Sequence, residues 1–374
     1  MNSVHIYPST FEYESRILKV TKTIIENNIV SRVLIIAKHR SSLQFKEKID
    51  DRRTLYRIPT LYESKNFFIR IISFIFWSTR ILLILKKENI AFINCHSLSV
   101  LPVCVLIKFI YKAKLIYEPH ELETETVTLR GLKKKIAKFM ENLLIKYVDH
   151  IYTVSESISS YYEKSYKKNK IPFIRNVPLL SNQNNVNTNY FYKKFNIPLE
   201  DLIFMYQGQL GHGRGLIELI DAFFNVSSNN HLVLMGFGEL TNQIIALSKK
   251  SKNIHYHQAV NPDQIHKYTC SIDVGFALLS DNCINHDSAL PNKLFHYIHA
   301  GKPVIASNLC EMRKIINTYN CGWLVENNSK NIALTINSIS KEIISKSSKN
   351  FKVIIKELNW NKEEKKLIKF YSNI

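Results

Sequence analysis

Short apolar runs alternate with longer helical patterns along most of this chain, and the alternation restarts after one polar interruption. Residues 4–7, 32–37, 90–95, 114–118, 150–154 and 172–175 read as strands. Residues 13–26, 67–87, 100–111, 129–147 and 156–166, between them, carry helical spacing. Such alternation predicts βαβ units, a parallel sheet and helices on both of its faces. Residues 180–190 (LSNQNNVNTNY) are Asn- and Ser-rich with few apolar side chains, the pattern of a linker. The second series predicts strands at 202–207, 231–235, 254–257, 274–279, 303–306 and 322–325, and helices at 216–224, 240–249, 262–270, 292–299 and 312–318. The expected organisation is α/β: a Rossmann-like domain over 1–179, a linker over 180–200, a second Rossmann-like domain over 201–355, and a charged amphipathic helix over 356–374 that crosses back to the first domain. A length of 374 residues accommodates two domains of ordinary size.

The glycines are distributed unevenly. Of ten, only Gly131 precedes Gly208. Gly208, Gly211, Gly213 and Gly215 fall between a predicted strand and a predicted helix, the pattern of a loop that offers N–H groups and a helix N-terminus to an anion. Arg214 stands among them, where a guanidinium can fork onto phosphate oxygens. A flexible turn with a solvated arginine is the plain alternative. The Gly236-Phe237-Gly238 turn and the segment from Leu290 fall on the same carboxyl edge of the second predicted sheet, where open α/β sheets bind ligands.

Net charge is +20, which points to anionic partners: phosphorylated substrates, nucleic acid or an acidic membrane surface. No nucleic-acid recognition motif accompanies the charge, and the basic residues interleave with apolar runs instead of forming an arm, so nucleic acid is not an expected partner. The six cysteines are scattered with no CxxC, which predicts neither a disulfide framework nor a zinc site and fits a reducing cytoplasm. Residues 1–5 do not read as a signal peptide.

Two segments carry a more specific pattern. One is Glu118-Pro119-His120-Glu121-Leu122. The other is Leu290-Pro291-Asn292-Lys293-Leu294-Phe295-His296-Tyr297, followed by Gly301-Lys302-Pro303-Val304-Ile305. With Arg214-Gly215, they resemble the retaining GT-B glycosyltransferases of family 4, in the branch that assembles bacterial capsule, O-antigen or exopolysaccharide. The resemblance implies the GT-B fold, two Rossmann-like domains facing a central cleft. It implies transfer of a hexosyl or N-acetylhexosaminyl group from a nucleotide-sugar donor to a saccharide or lipid-linked saccharide acceptor, with retained configuration and without a metal or other cofactor. The donor is expected on the second domain and the acceptor on the first.

The same resemblance assigns roles. Arg214 and Lys293 are expected to stabilise the leaving diphosphate, with N–H donors from the helix that starts at Asn292. Gly208, Gly213, Gly236, Gly238, Leu290 and Pro291 are expected to shape that donor site. His120 and Glu121 are expected at the reacting sugar and the acceptor hydroxyl. This chain departs from the family where a pair of Glu residues eight apart is usual. Here the positions are Ser288 and His296, and His296 is expected to take over hydrogen bonding to the ribose. Gln209 stands where a second cation is common. After the first strand, Ser9 and Thr10 replace a Gly-rich turn and are expected to cap the following helix.

Residues 67–87 and 130–146 are apolar with basic residues interleaved; the second holds six cations and one acid, Glu141. They suggest either attachment to the acidic inner face of a bacterial inner membrane, suited to a lipid-linked acceptor, or ordinary crossover helices. A catalytically impaired relative acting as a partner subunit is the competing functional reading, motivated by Ser288 and His296.

Overall fold

The computed structural model describes residues 1–12, 14–61, 66–180, 188–348 and 350–374. It divides into two compact units, Met1–Ile174 with Glu364–Ile374, and Arg175–Glu363.

The first unit holds β1 (Asn2–Ile6), β2 (Arg32–Lys38), β3 (Lys46–Lys48), β4 (Arg53–Ile58), β5 (Ile90–Cys95), β6 (Lys114–Tyr117) and β7 (His150–Ile151). They form one sheet in the order β3-β4-β2-β1-β5-β6-β7, parallel throughout except for β3, which runs antiparallel to β4. Alternate residues of each strand serve opposite faces. Val4, Ile6, Ile93, Cys95, Leu115 and Tyr117 share one core with Trp77, Ile81 and Leu85 of the helix Phe67–Leu85 and with residues of the helices Leu101–Tyr111 and Gly131–Leu144. Right-handed crossovers put three successive helices on one face in this way. Ser3, His5, Asn94 and Glu118 have the opposite parity, and with them lie the helix Arg16–Glu26 and Tyr371 near the end of the chain.

Several expectations need correction here. β4 was hidden in the sequence by Arg53, Thr54 and Arg57. All three are buried, with Arg53 Nη1 donating to the Leu18 carbonyl (2.8 Å) and Arg57 Nε to that of Thr10 (2.9 Å). The strand expected at 172–175 reduces to a single bridge, Thr153 to Phe173. Ser9 and Thr10 do not cap the first helix, which starts at Arg16. The Glu14 carboxylate accepts the N–H groups of Arg16 (2.8 Å) and Ile17 (3.1 Å). Tyr13, expected as the helix start, lies outside the described residues.

The second unit holds β8 (Leu202–Gln209), β9 (Asn230–Phe237), β10 (Ile254–Gln258), β11 (Val274–Ala277), β12 (Val304–Ser307) and β13 (Gly322–Val325). All pair in parallel, in the order β10-β9-β8-β11-β12-β13, the doubly wound order of dinucleotide-binding folds. Ile203 and Met205 pack with Leu294, Tyr297 and Met312 on one face, while Leu202, Phe204 and Tyr206 pack with Leu219, Phe223 and Ile332 on the other. Of the expected linker, residues 181–187 lie outside the described residues. Tyr190–Phe195 is a helix whose Phe191 and Tyr192 are buried in the second core.

Candidate functional site

In the second unit the strand order reverses between β8 and β11, so the loops leaving their carboxyl ends diverge and open a crevice. The sequence places its densest glycine cluster at this point. Gly208 takes φ +121°, and a Cβ there would stand 4.0 Å from Lys293 Cε. A Cβ on Gly236 would stand 1.8 Å from the Gly208 carbonyl oxygen, and one on Gly238 would stand 2.3 Å from that of Leu210. These two glycines therefore let the end of β9 and the 208–215 loop run in backbone contact. The Gly213 carbonyl accepts the Ser280 N–H (3.1 Å), tying the loop to the segment after β11. Gly215 opens the helix Leu216–Phe223, which no side chain caps.

Two cations meet at this loop. The Arg214 guanidinium donates to the Gln209 side-chain oxygen (2.9 Å), so Gln209 orients the arginine instead of leaving it unsupported. Leu290 and Pro291 lead into the helix Asn292–His299, whose N-terminus also has no side-chain cap. Lys293 in its first turn is buried, not the solvated lysine that its position alone suggests. The ammonium lies 3.5 Å from the centroid of the Tyr206 ring and has no hydrogen-bond partner among the described residues. Burial, reinforced by the Arg214 charge, holds its pKa well below the usual lysine value. A buried ammonium without an anion is costly, and the cation–π contact offsets only part of that cost. One backbone donor of the loop is already committed, since the His212 N–H is accepted by the Glu239 carboxylate (2.8 Å).

His296, one turn further on, faces β8. Its Nδ1 lies 3.1 Å from the Gln207 side-chain amide nitrogen. Gln207 also accepts from Thr269 (3.1 Å). Ser288 is buried at the end of the short helix Ile284–Asp287, and the Asp287 carboxylate caps the helix Cys310–Tyr319 through the Cys310 N–H (2.8 Å). Neither position of the expected glutamate pair thus brings a carboxylate to the loop. The Asn292 side-chain oxygen accepts from Asn176 (2.9 Å).

In the first unit a polar cluster sits where β1, β5 and β6 end. The Glu118 carboxylate is fully buried. It accepts from Arg16 Nε and from the Tyr152 hydroxyl (2.5 Å), and it lies 3.0 Å from His96 Nδ1 and 3.5 Å from His120 Nε2. Burial alone would raise its pKa. The Arg16 guanidinium and His96 outweigh burial and hold the carboxyl well below its usual range. His96 continues the chain to His5 (2.9 Å), and burial lowers the pKa of both rings. His120 is half-exposed at the mouth of the cluster, with the Tyr7 ring 5.4 Å away. Glu121 is exposed; the carboxylate that braces this loop is Glu123, which accepts the Leu98 N–H (2.7 Å) and the Ser97 hydroxyl (2.8 Å). Burial pushes Glu123 up to about 7 against those hydrogen bonds. The ligand atoms of His96, Glu118 and His120 lie within 4.8 Å of one another, a spacing that suits a metal. The Arg16 guanidinium already supplies the positive charge at Glu118, so the donor set does not fit a divalent cation well.

The sequence reading did not single out His5, Arg16, His96 or Tyr152. The available signal was polar residues within otherwise apolar strand runs, His5 in β1 and Asn94 with His96 at the end of β5.

The family model for glycosyl transferases group 1 matches residues 188–357. Among solved structures, sucrose-phosphate synthase from Thermosynechococcus elongatus superposes with a TM-score of 0.83 at 13% identity, over 100% of this chain and 98% of that one. Anabaena HepE, in complex with UDP, gives 0.73 at 12% identity over 100% of both chains. WaaG, a glycosyltransferase involved in lipopolysaccharide biosynthesis, gives 0.66 at 12% identity over 97% of this chain and 98% of that one. No curated protein matches by sequence. The chain therefore has the GT-B fold, with a glycosyl transferases group 1 match over residues 188–357 of its second unit.

Proposed function

We propose that this protein is a retaining glycosyltransferase that moves a hexosyl or N-acetylhexosaminyl group from a nucleotide-sugar donor to a saccharide acceptor. The observation that carries the reading is the unpartnered, buried Lys293 ammonium beside Arg214, at an uncapped helix N-terminus on the switch point of the second sheet. Two fixed cations and helix N–H groups form a site for a diphosphate. They favour the leaving group as its charge develops, and they do so without a metal. His296, whose Nδ1 meets the Gln207 side chain, is the residue we assign to the ribose hydroxyls in place of a glutamate. In the first unit, His120 is the group of the Glu118 cluster most open to a sugar or acceptor hydroxyl, and Glu118 with Arg16 and His96 fixes the loop that carries it. The UDP complex of HepE makes a uridine donor the first to test. A lipid-linked acceptor in bacterial surface polysaccharide synthesis, in the cytoplasm, is the biological setting we favour. It draws support from the WaaG likeness and the six free cysteines.

The lack of a carboxylate at positions 288 and 296 favours one second reading, a family member that binds nucleotide without turnover and serves as a partner subunit. A thermal-shift panel of UDP, GDP, CDP and ADP tests the donor site. At a hundredfold excess over Kd one diphosphate adds about 2.7 kcal/mol, or roughly 5–10 °C for a unit of this size, and Arg214→Ala removes the shift. No shift with any diphosphate sinks the assigned site. A shift without sugar transfer from the matching nucleotide sugar selects the second reading.

A further inference from the structure

A cavity of about 780 Å³ opens at the free edge of the first sheet, alongside β7. Its walls come from three stretches of the first unit: residues 149–151, residues 168–173, and the end of the last helix, Trp360–Ser372, with the residues that follow it. None of them supplies a member of the Glu118 cluster, and the diphosphate loop belongs to the other unit. The edge is left open because β7 is two residues long and the chain rejoins it through one bridge, Thr153 to Phe173. In the last helix, Leu367 and Tyr371 are buried in the core. Lys366, Lys369 and Phe370, at i, i+3 and i+4, share the side that lines the cavity.

The lining divides into an apolar part and a cationic part. Ile151, Ile171, Phe173 and Phe370 supply the first, and the Phe370 ring meets His150 edge-on at 6.1 Å. Lys168, Lys170, Lys366 and Lys369 supply the second, with the Lys366 ammonium 5.1 Å from the centroid of the Phe173 ring. Lys168, Lys170 and Lys369 have no acidic partner among the described residues. The lining side chains include one acid, Asp149, and it is already committed to Lys108 Nζ (2.7 Å) and to the Leu115 N–H (2.7 Å). Positive charge stays in excess even with a main-chain carboxylate at Ile374. The field reaches His150: burial lowers its pKa, Asp149 opposes this, and Lys114, Lys108 and Lys168 add to it. A cavity of this size with ring walls and unneutralised ammonium groups is complementary to a small molecule that is apolar at one end and anionic at the other. Lysines act as point charges and suit a phosphate, whose monoester carries nearly two charges at neutral pH.

We propose that this cavity is a second ligand site, for a small organic phosphate whose anion is held by the lysines and whose ring or apolar body lies against Phe173 and Phe370. It involves the first unit only and does not depend on the donor reading above. The test is calorimetric titration of the full chain with phenyl phosphate, with inorganic phosphate and phenol as probes that each carry half of its chemistry. Phenyl phosphate is expected to bind at least about tenfold more tightly than either half. Lys168→Gln with Lys369→Gln is expected to weaken it at least about tenfold, with the melting temperature and the diphosphate shift unchanged. Arg214→Ala is expected to leave phenyl phosphate binding intact, so the two sites fail separately. On saturation the His150 ring resonance, identified by its absence from His150→Gln, is expected to move. No binding at millimolar phenyl phosphate, equal affinity for either half-probe, binding that the lysine pair leaves unchanged, or an unmoved His150 resonance overturns the proposal. So does binding lost in Arg214→Ala, which would place the probe at the diphosphate loop.

Discussion

Lys293 combines two properties that rarely coexist in a buried side chain, an ammonium with no hydrogen-bond partner among the described residues and a ring face 3.5 Å away. Its folded pKa lies below the ordinary value of 10.5, so unfolding takes up a proton between the two values. Stability from this group is therefore complete above about pH 10.5, and it falls as pH drops towards the folded pKa. Lys293→Met keeps the volume and a sulfur–ring contact while removing the charge. The variant is expected to equal or exceed wild-type stability in urea at neutral pH, by up to about 2 kcal/mol, to lose the alkaline rise, and to lose the diphosphate shift. A drop of more than about 2 kcal/mol with the shift retained would mean that the ammonium is a structural prop and not an anion site. Sequence alone could place this lysine in a first helical turn, but it could not bury it. Burial depends on Tyr206, from a strand far away in the chain, whose ring faces the Lys293 ammonium. For the same reason Glu118 was readable as part of a motif, whereas its buried partners Arg16, His96 and Tyr152, drawn from three other segments, were not.

At the scale of elements, glycine positions separate into those required by contact and those required by backbone conformation. At Gly236 an added Cβ would meet the Gly208 carbonyl at 1.8 Å, backbone against backbone, so β8 and β9 would have to part just where the loop is built. At Gly301 the residue takes φ +70° with nothing within 4 Å, so only the left-handed conformation is charged against a side chain. Gly301→Ala is expected to cost about 1–2 kcal/mol in urea unfolding. Gly236→Ala is expected to cost about 3 kcal/mol or more, and to weaken diphosphate binding as well. Equal costs would show that the 208–215 loop yields to the added methyl. Most elements were readable because strands buried on both faces are continuous apolar runs, as β2, β8 and β12 are. β4 was missed because its arginines are satisfied by carbonyl groups of other segments, and the helix Tyr190–Phe195 because a polar neighbourhood concealed Phe191 and Tyr192.

For the whole molecule, the first unit is completed by the last stretch of the chain. Glu364–Ile374 returns Leu367 and Tyr371 to its core, both buried. The Tyr371 hydroxyl donates to Asn94 (2.6 Å), Asn94 donates to Ser3 (2.9 Å), and Glu364 accepts from Thr23 (2.8 Å). Phe370 packs edge-on against Tyr152 at 4.9 Å, and Tyr152 holds Glu118. Removing residues 364–374 therefore strips apolar cover from the first sheet and exposes the buried carboxylate cluster, while every strand of the second unit keeps its neighbours. Losing a buried leucine and a buried tyrosine costs about 5 kcal/mol or more together, a large part of the stability of an ordinary domain. Hydrogen exchange on the truncated chain is expected to show β1, β5 and β6 losing protection by orders of magnitude while β8 and β11 keep theirs, and the diphosphate shift is expected to survive. Equal loss in both sheets would mean that the two units unfold as one cooperative body. Unchanged protection in β1 and β5 would mean that the Tyr371–Asn94–Ser3 chain contributes little, and that the core under the three-helix layer holds the first sheet by itself.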